Sequence, residues 1–257
     1  MAQNSEIEWT DASWNPWQGC EKISQGCKFC YAERLASRFG KKFSTIFRST
    51  DKTFNAPLKW KEPLKVFTCS ISDFFIKQAD PWRNDAWKII RDTPHTYLIL
   101  TKRPERIPEC LPPDWGNGYP NVYLGTSGET AADIIRRSRD MQKVKAKIKF
   151  ISIEPLLESV SGRINTAIDV FNWVIVGGES GSYNKHRTCE AEWIAGVVNL
   201  CKQKNIAVFV KQMGSKYAKK HNMNDWKGGN IAQFPKNLQI REFPETVKEN
   251  ELFTELV

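Results

Sequence analysis

The sequence lacks any apolar run long enough to span a membrane, and its first residues lack the basic region and apolar core of a secretory signal. Low-complexity segments, internal repeats and linkers rich in proline, glycine or serine are also missing. We therefore expect one domain over residues 1–257, located in the cytoplasm and without a membrane partner. The chain has seven cysteines and no signal, which argues for a reducing compartment and against a disulfide framework.

Acidic residues are in deficit. The chain has 29 aspartates and glutamates against 38 lysines and arginines, a net charge of +9, with no long block of one sign. This charge favours polyanionic partners, DNA or RNA first, and a basic surface that serves only solubility is the alternative. Ten tryptophans are many for this length, and some of them, such as Trp60 and Trp226, lie next to charged residues. Aromatic rings beside cations stack bases, although most tryptophans simply pack.

Three of the seven cysteines lie close together near the N-terminus. Cys20, Cys27 and Cys30 have the spacing C-x6-C-x2-C, with Gly19 and Gly26 in the same loop. Glycine lets a chain curl around a bulky group. After Cys30, apolar residues recur at about four-residue spacing, which predicts a helix that begins directly after the loop.

Three thiolates suit a [4Fe-4S] cluster that keeps one iron free of protein ligands. Zinc is the main alternative, but structural zinc usually has four protein ligands and no second C-x2-C exists here. A third interpretation is three buried cysteines with no metal. Histidine offers no other site, since the only three, His95, His186 and His221, are not spaced to bind one ion.

Short apolar, β-branched runs alternate with helical patterns along most of the chain. This alternation predicts βαβ units and a parallel sheet buried on both faces. About seven units in this length indicate a parallel (βα) barrel, partial and TIM-like with six to seven strands, while a doubly wound open sheet is the alternative. The predicted strands are 7–10, 65–70, 96–101, 121–126, 147–153, 173–178 and 206–211, and the predicted helices are 82–91, 131–141 and 191–204.

The last forty residues change in character. Gly228-Gly229 reads as a turn, and residues 238–243 alternate like a short exposed strand. We expect residues 213–257 to form an irregular C-terminal extension that packs on the barrel and covers an open edge or the mouth.

Each predicted strand ends in residues that can bind a ligand or react. In parallel α/β folds the carboxyl ends of the strands meet at one edge, where ligands bind. Single positions such as Ser72 or Ser127 read equally well as helix caps. Seven such ends on one edge are harder to explain by capping alone.

The sequence resembles the phage Gp37/Gp68 family, also called three-Cys-motif or DUF5131-type proteins. The resemblance rests on Ile7-Glu8-Trp9-Thr10 with Trp14-Asn15-Pro16, on the cysteine stretch followed by Tyr31-Ala32-Glu33, and on blocks at 100–106, 152–156 and 174–181. Members of this family are similar to radical S-adenosylmethionine (SAM) enzymes. The correspondence is partial, because the usual first cysteine gap is three residues and here it is six. Phe29 matches the aromatic residue that precedes the third cysteine.

The resemblance implies that Cys20, Cys27 and Cys30 are the catalytic metal ligands of a [4Fe-4S] cluster. The free iron would chelate SAM, and one electron, from a donor such as flavodoxin or ferredoxin, would cleave it to start radical chemistry on an unknown substrate, a nucleic acid base being the favoured refinement. The Gly-Gly-Glu that many such enzymes place after the second strand lies here after the sixth, so its role is not transferred directly. The cofactor-binding candidates are Phe29, Ser70, Ser72, Asp73, Lys102, Arg103, Ser127, Glu129, Glu154, Gly177, Gly178 and Glu179.

Some of these residues have specific expected roles. Ser70, Ser72 and Asp73 would hold the amino end of SAM, and Ser127 and Glu129 would meet its ribose or carboxylate. Glu154 and Glu179 would face SAM or the substrate. Lys102 and Arg103 would clamp an anion unless Glu105 neutralises one of them, and Tyr183, Lys185 and Arg187 would form a substrate loop.

A function of another class is the alternative: a nucleic-acid-binding protein whose iron–sulfur or zinc site is structural. The basic charge and the tryptophans favour it. The three-ligand cysteine motif and the polar strand ends favour the enzyme.

Overall fold

The computed structural model describes residues 5, 7–181 and 186–245. Seven parallel strands pair in chain order and form a curled sheet, a half-barrel with helices around it. A separate pair of short antiparallel strands comes, in sequence, between the first two strands of this sheet. In chain order the nine strands are β1 Ala12–Trp14, β2 Trp17–Gln18, β3 Phe47–Arg48, β4 Lys65–Thr68, β5 Thr96–Thr101, β6 Val122–Ser127, β7 Ile148–Ile153, β8 Trp173–Gly177 and β9 Ala207–Gln212.

The strand order decides between the two predicted architectures. A doubly wound sheet reverses its order at a switch point. Here the order β1-β4-β5-β6-β7-β8-β9 never reverses. The partial parallel barrel is therefore confirmed, and the doubly wound alternative is wrong.

Helices fill most of the crossovers. The predicted helices at 82–91, 131–141 and 191–204 are confirmed to within two residues, and a helix also follows Cys30 as predicted. The connection from β7 to β8, all of which is described, holds only a 3-10 helix. The α-helices are α1 Tyr31–Arg38, α2 Asp51–Phe54, α3 Asp80–Arg91, α4 Ile107–Cys110, α5 Ala131–Gln142, α6 Ala191–Gln203 and α7 Ser215–Lys220. The 3-10 helices are Gln25–Cys27, Ala56–Lys59, Lys77–Ala79, Pro104–Arg106, Ala167–Val170, Ile231–Gln233 and Lys236–Leu238.

The two faces of the sheet bury different residues, because side chains alternate along a strand. The outer face packs on the helices in the larger core. The concave face carries a second cluster near the amino ends of the strands, which we call the aromatic floor. Its rings lie close together, with centroids 4.7 Å apart for Trp9 and Phe67 and 5.6 Å apart for Phe150 and Trp173. Its buried members are Trp9, Phe67, Leu98, Tyr123, Ile148, Phe150, Trp173, Ile175 and Phe209.

Two strand predictions are wrong. Residues 7–10 form a turn, in which the backbone N–H of Thr10 donates to the carbonyl of Ile7 at 3.0 Å, and the first strand begins at Ala12. Residues 238–243 make only a single antiparallel bridge, between Arg241 and Phe209.

The C-terminal segment nevertheless covers an open edge of the sheet, as expected. It lies along β9, where Val210 N–H donates to the carbonyl of Ile240 at 2.9 Å and Glu242 N–H donates to that of Val208 at 3.0 Å. Residues 246–257 of the predicted extension lie outside the described part. None of the helices in the described ranges is long and apolar enough to cross a membrane.

Candidate active site at the open end of the half-barrel

The carboxyl ends of the parallel strands form one polar edge, which we call the rim. Apart from Phe29, every cofactor-binding candidate predicted from the sequence lies at a strand end on this edge. Ser70, Ser72 and Asp73 follow β4, Lys102 and Arg103 follow β5, Ser127 and Glu129 end and follow β6, Glu154 follows β7, and Gly177, Gly178 and Glu179 end and follow β8. The parallel pairing thus brings together residues that are far apart in sequence.

Residues 19–30, which we call the cysteine loop, lie across this rim. On the β4–β5 side, the hydroxyl of Ser72 donates to the carbonyl of Gly19 at 2.6 Å. Arg103 donates to the carbonyl of Glu21 at 3.1 Å and lies 3.8 Å from the sulfur of Cys20. These bonds fix the start of the loop to the ends of two strands.

The middle of the loop rests on Glu129. The Ser24 hydroxyl donates to Oε1 of Glu129 at 3.1 Å. A Cβ at Gly26 would come within 2.4 Å of the same side chain, so that only glycine fits this approach.

The end of the loop reaches the β8 side of the rim. Arg187 donates to the carbonyl of Gln25 at 3.0 Å, and the Phe29 ring packs on His186 with centroids 5.1 Å apart. The loop therefore contacts residues that follow β4, β5, β6 and β8, and it covers the open end of the half-barrel.

The three cysteines of the loop differ from the other four. Cys20, Cys27 and Cys30 are half-buried free thiols, with Cys30 at the residue before α1, whereas the remaining four are buried. Within the described ranges no three histidine, cysteine or carboxylate side chains converge into a metal site. The three thiols share one loop and one rim.

The surroundings shift the pKa values of the Cys20 and Cys27 thiols in opposite directions. Burial and the nearby Asp73 raise the pKa of Cys20 to about 11, although Arg103 opposes them. Burial also raises the pKa of Cys27, but a backbone hydrogen bond from Ile23 and the charge of Lys102 outweigh it and hold that pKa below its ordinary value. Cys27 is therefore the readier thiolate.

Asp73 and Arg103 form a buried ion pair beneath the start of the loop. Arg103 donates to Oδ2 of Asp73 at 3.0 Å, and both side chains are less than a tenth exposed. The same carboxylate accepts bonds from the Thr101 hydroxyl at 2.7 Å and from the N–H groups of Phe75 and Lys102. Ser70 is likewise engaged, because it bonds Asn15 and its carbonyl accepts from the hydroxyl of Tyr31.

Glu129 lies fully buried between two cations. Lys102 contacts one carboxylate oxygen, and Arg137 donates to the other at 3.2 Å and to the carbonyl of Ser127 at 2.5 Å. Burial lowers the pKa of Lys102, as does the charge of Arg137, while Cys27 opposes the shift. The partners of Lys102 and Arg103 are thus Glu129 and Asp73, and the suggested neutralisation by Glu105 is wrong.

Two more cation–carboxylate pairs continue round the rim. Lys211 of β9 lies 3.1 Å from Oε1 of Glu154, whose other oxygen accepts from Ser152 at 2.9 Å. Arg187 contacts both carboxylate oxygens of Glu179.

Gly177 and Gly178 allow β9 to approach β8 closely. A Cβ at Gly177 would lie 3.1 Å from Gln212, and one at Gly178 would lie 2.3 Å from the carbonyl of Met213. The backbone N–H of Gly178 is engaged within the protein, because it donates to the carbonyl of Gln212.

Sequence reasoning missed two residues of this site. Arg137 had a signal: it falls between Ile134 and Met141 on the buried face of α5, where a charged residue requires a partner. Lys211 lies in a predicted strand and was not singled out. Its signal is strand alternation, which places Lys211 on the same concave face as Phe209. Of the suggested substrate loop, Arg187 binds Glu179, and Tyr183 and Lys185 lie outside the described residues.

Comparisons with known proteins add a family. A family model described as "Protein of unknown function (DUF5131)" matches residues 4–242, almost the whole chain. No curated protein and no solved structure gives a significant match.

Proposed function

The chain belongs to the DUF5131 family of proteins of unknown function, which is the Gp37/Gp68-like family, and from that premise we propose that it is a radical SAM-type iron–sulfur enzyme. Cys20, Cys27 and Cys30 would hold a [4Fe-4S] cluster, and the rim would bind SAM and the substrate. The observation that carries this proposal is the position of the cysteine loop, which holds three half-buried free thiols over a rim of paired charges.

The donor chemistry fits such a cluster. Three thiols and no fourth in the loop leave one iron open to a small ligand. Arg103 lies 3.8 Å from the sulfur of Cys20, and the charge of Lys102 lowers the pKa of Cys27, so cations offset the charge of bound thiolates. Gly19, with φ of +88°, gives the start of the loop a backbone conformation that other residues rarely adopt.

When bound, the cluster would supply reductive cleavage of SAM to begin radical chemistry. The rim residues would bind and orient SAM and the substrate. The amino-acid end of SAM carries both charges, and the Lys211–Glu154 pair offers a cation and a carboxylate side by side, whereas Glu129 is fully buried and would hold Lys102 in place. Lys102 and Lys211 are each 23% exposed, so both can reach a ligand, whereas Arg103 is engaged with Asp73 and Glu21 and would position the loop. The aromatic floor below would exclude water.

Three further features of the proposal concern partners and location. The electron donor would be a small redox protein such as flavodoxin or ferredoxin. The substrate would be a nucleic acid base, since the net charge of +9 favours a polyanion. All seven cysteines are free thiols, which suits the cytoplasm.

The test is anaerobic reconstitution with iron and sulfide, followed by iron analysis and EPR with and without SAM. We expect about four irons per chain, an EPR spectrum that changes when SAM is added, and 5′-deoxyadenosine after reduction with dithionite. Cys27→Ala should lose nearly all the iron. The matched control is Cys201→Ser in α6, a buried thiol that should keep it. Full iron retention by Cys27→Ala would show that the cysteine loop does not hold the cluster.

A second candidate is a nucleic-acid-binding protein with a structural metal, favoured by the net charge of +9. Zinc in place of iron after purification, with no EPR signal and no response to SAM, would select it over the enzyme.

A further inference from the structure

A strongly basic segment of the chain lies beside the rim. Residues 211–236, which we call the basic lobe, contain six lysines and one aspartate, a net charge of +5 out of +9 for the chain. This segment is about a tenth of the sequence and carries more than half of its net charge. The lysines are Lys211, Lys216, Lys219, Lys220, Lys227 and Lys236.

The basic lobe is attached to the rim at its β8–β9 side. The N–H of Ser215, the first residue of α7, donates to the carbonyl of Glu179 at 3.0 Å, and the Ser215 hydroxyl accepts from Gly181 at 2.8 Å. The chain then returns to β9, where Met213 N–H donates to the carbonyl of Gly228 at 2.7 Å. The lysines of α7 and of the following loop therefore flank the mouth of the half-barrel.

An exposed indole lies in this charged segment. Trp226 is 58% exposed, and the ammonium group of Lys227 lies 5.6 Å from its ring centroid. The backbone around it is held by Asp225, whose carboxylate accepts from the N–H groups of Lys227 at 3.1 Å and of Gly229 at 2.6 Å. The ring is thus presented to solvent from a hydrogen-bonded turn.

A second aromatic pair lies on α7. The rings of Tyr217 and His221 are stacked, with centroids 4.0 Å apart and planes 24° from parallel, and His221 is exposed. Two ring systems among lysines are the combination by which proteins hold unpaired bases, because each base has a face to stack and each nucleotide a phosphate to neutralise.

We propose that the basic lobe binds single-stranded nucleic acid, with Trp226 as a stacking platform and the lysines of α7 as phosphate contacts. A duplex hides the faces of its bases and would meet only the charge. An acidic protein would likewise use the lysines and leave the exposed ring without a role. The inference depends on no metal or cofactor, so it stands or fails separately from the proposed enzyme.

The test is fluorescence anisotropy of a labelled single strand of about 16 nucleotides, the upper size of one such binding site, at about 50 mM salt, where phosphate contacts are strong. Trp226→Ala should weaken binding about 5- to 150-fold, the effect of losing one stacked base. The control Trp226→Phe keeps an aromatic ring at this position and should retain most of the affinity, as a stacking role requires. Lys220→Gln should reduce the slope of log affinity against log salt by about one, and Lys145→Gln, before β7, should not.

The same strand annealed to its complement should bind more weakly. Three results would overturn the inference: no binding at this salt, equal affinity of Trp226→Ala and wild type, or competition by polyglutamate as effective as by the unlabelled strand. The last result would assign the lobe to an acidic protein.

Discussion

The aromatic floor and the rim occupy opposite ends of the same concave surface, and often the same strand. β7 places Phe150 in the floor and carries Glu154 at its end on the rim. The floor is apolar, and its rings pack on one another at centroid distances of 4.7 to 6.2 Å. The rim is polar, and each of its carboxylates is held by a cation from another segment.

The two ends contribute differently to stability. Burial of rings removes apolar area from water and stabilises the fold. Burial of an ion pair costs desolvation that its attraction barely offsets, so it is weak evidence for stability. The four rim pairs are therefore weak evidence for stability, and the proposed ligand site would give them a role.

The largest effect is expected in the floor. Phe150→Ala removes a fully buried ring that contacts Trp9 and Trp173, so it should lower the free energy of unfolding by about 3–5 kcal/mol in urea denaturation. Phe39→Ala, at a residue 70% exposed, should stay within about 0.5 kcal/mol. A loss below about 1 kcal/mol at Phe150 would show that the floor is not what holds the barrel.

The next effect concerns the buried pair of the rim. Asp73→Asn keeps the shape but leaves the Arg103 charge uncompensated, so we expect a loss of about 1.5–3 kcal/mol by the same measurement. It should also free the start of the cysteine loop and speed alkylation of Cys20 by iodoacetamide. Asp85→Asn breaks an exposed pair with Lys88 and should change neither quantity. Unchanged stability in Asp73→Asn would mean that the rim pair is dispensable to the fold.

A smaller effect should follow from filling the concave surface. The Cβ of Gly125→Ala would come within 2.4 Å of the Phe150 ring, and such overpacking costs about 1–3 kcal/mol. Gly162→Ala, where the added Cβ meets open space, is the control. Combining Gly125→Ala with Phe150→Leu should recover part of the loss; no recovery would locate the strain elsewhere.

The smallest effect is expected at an ion pair outside the barrel. Burial raises the pKa of Asp80, but hydrogen bonds from Arg83 and Arg106 outweigh it and hold that pKa below its usual value. The carboxylate is 44% exposed, and the buried Arg83 keeps its bonds to the carbonyls of Phe74 and Ile76, so Asp80→Asn should cost only about 0–1 kcal/mol at neutral pH.

The stability that this ion pair contributes should depend on pH. A lowered folded-state pKa gives stability that is present above about pH 4, the unfolded value, and is lost as pH falls through the folded pKa. Wild type and Asp80→Asn should therefore differ in urea midpoint at pH 7 and converge in acid. A difference that grows in acid would contradict the assigned pair.

Much of the fold could be predicted because local patterns carried it. The bounds of β5 agree to the residue with the predicted strand 96–101, since a continuous apolar run between turn residues has few other interpretations. The prediction of the first strand failed because Ile7 and Trp9 look β-like, whereas they lie in a turn from which Trp9 is buried in the floor and Ile7 packs against it partly buried. The helix after Cys30 was predicted from Tyr31, Leu35 and Phe39, which prove to be exposed, so its period was right although it marks no buried face.

The sequence predicted which residues lie at the site but not which of them contact one another. Strand ends of a parallel sheet share one edge, so membership of the rim followed from the sequence. Partners did not, because the Lys102–Glu129 contact depends on the register of β5 and β6 and on where two loops turn. The same holds for the cysteine loop, whose spacing suggested a metal site but gave no hint that the loop lies across the strand ends.

The attachment of the cysteine loop also has a consequence for biosynthesis. Ser24 and its partner Glu129 are 105 residues apart, so the loop leaves the ribosome long before the residue that supports it. At about 5–20 residues per second the delay is about 5 to 20 seconds. During that interval the three thiols are in an unsupported nascent chain, open to oxidation or to the wrong metal. Loading of any cluster at this site would therefore be a late event, after β6 has been made and has joined the sheet.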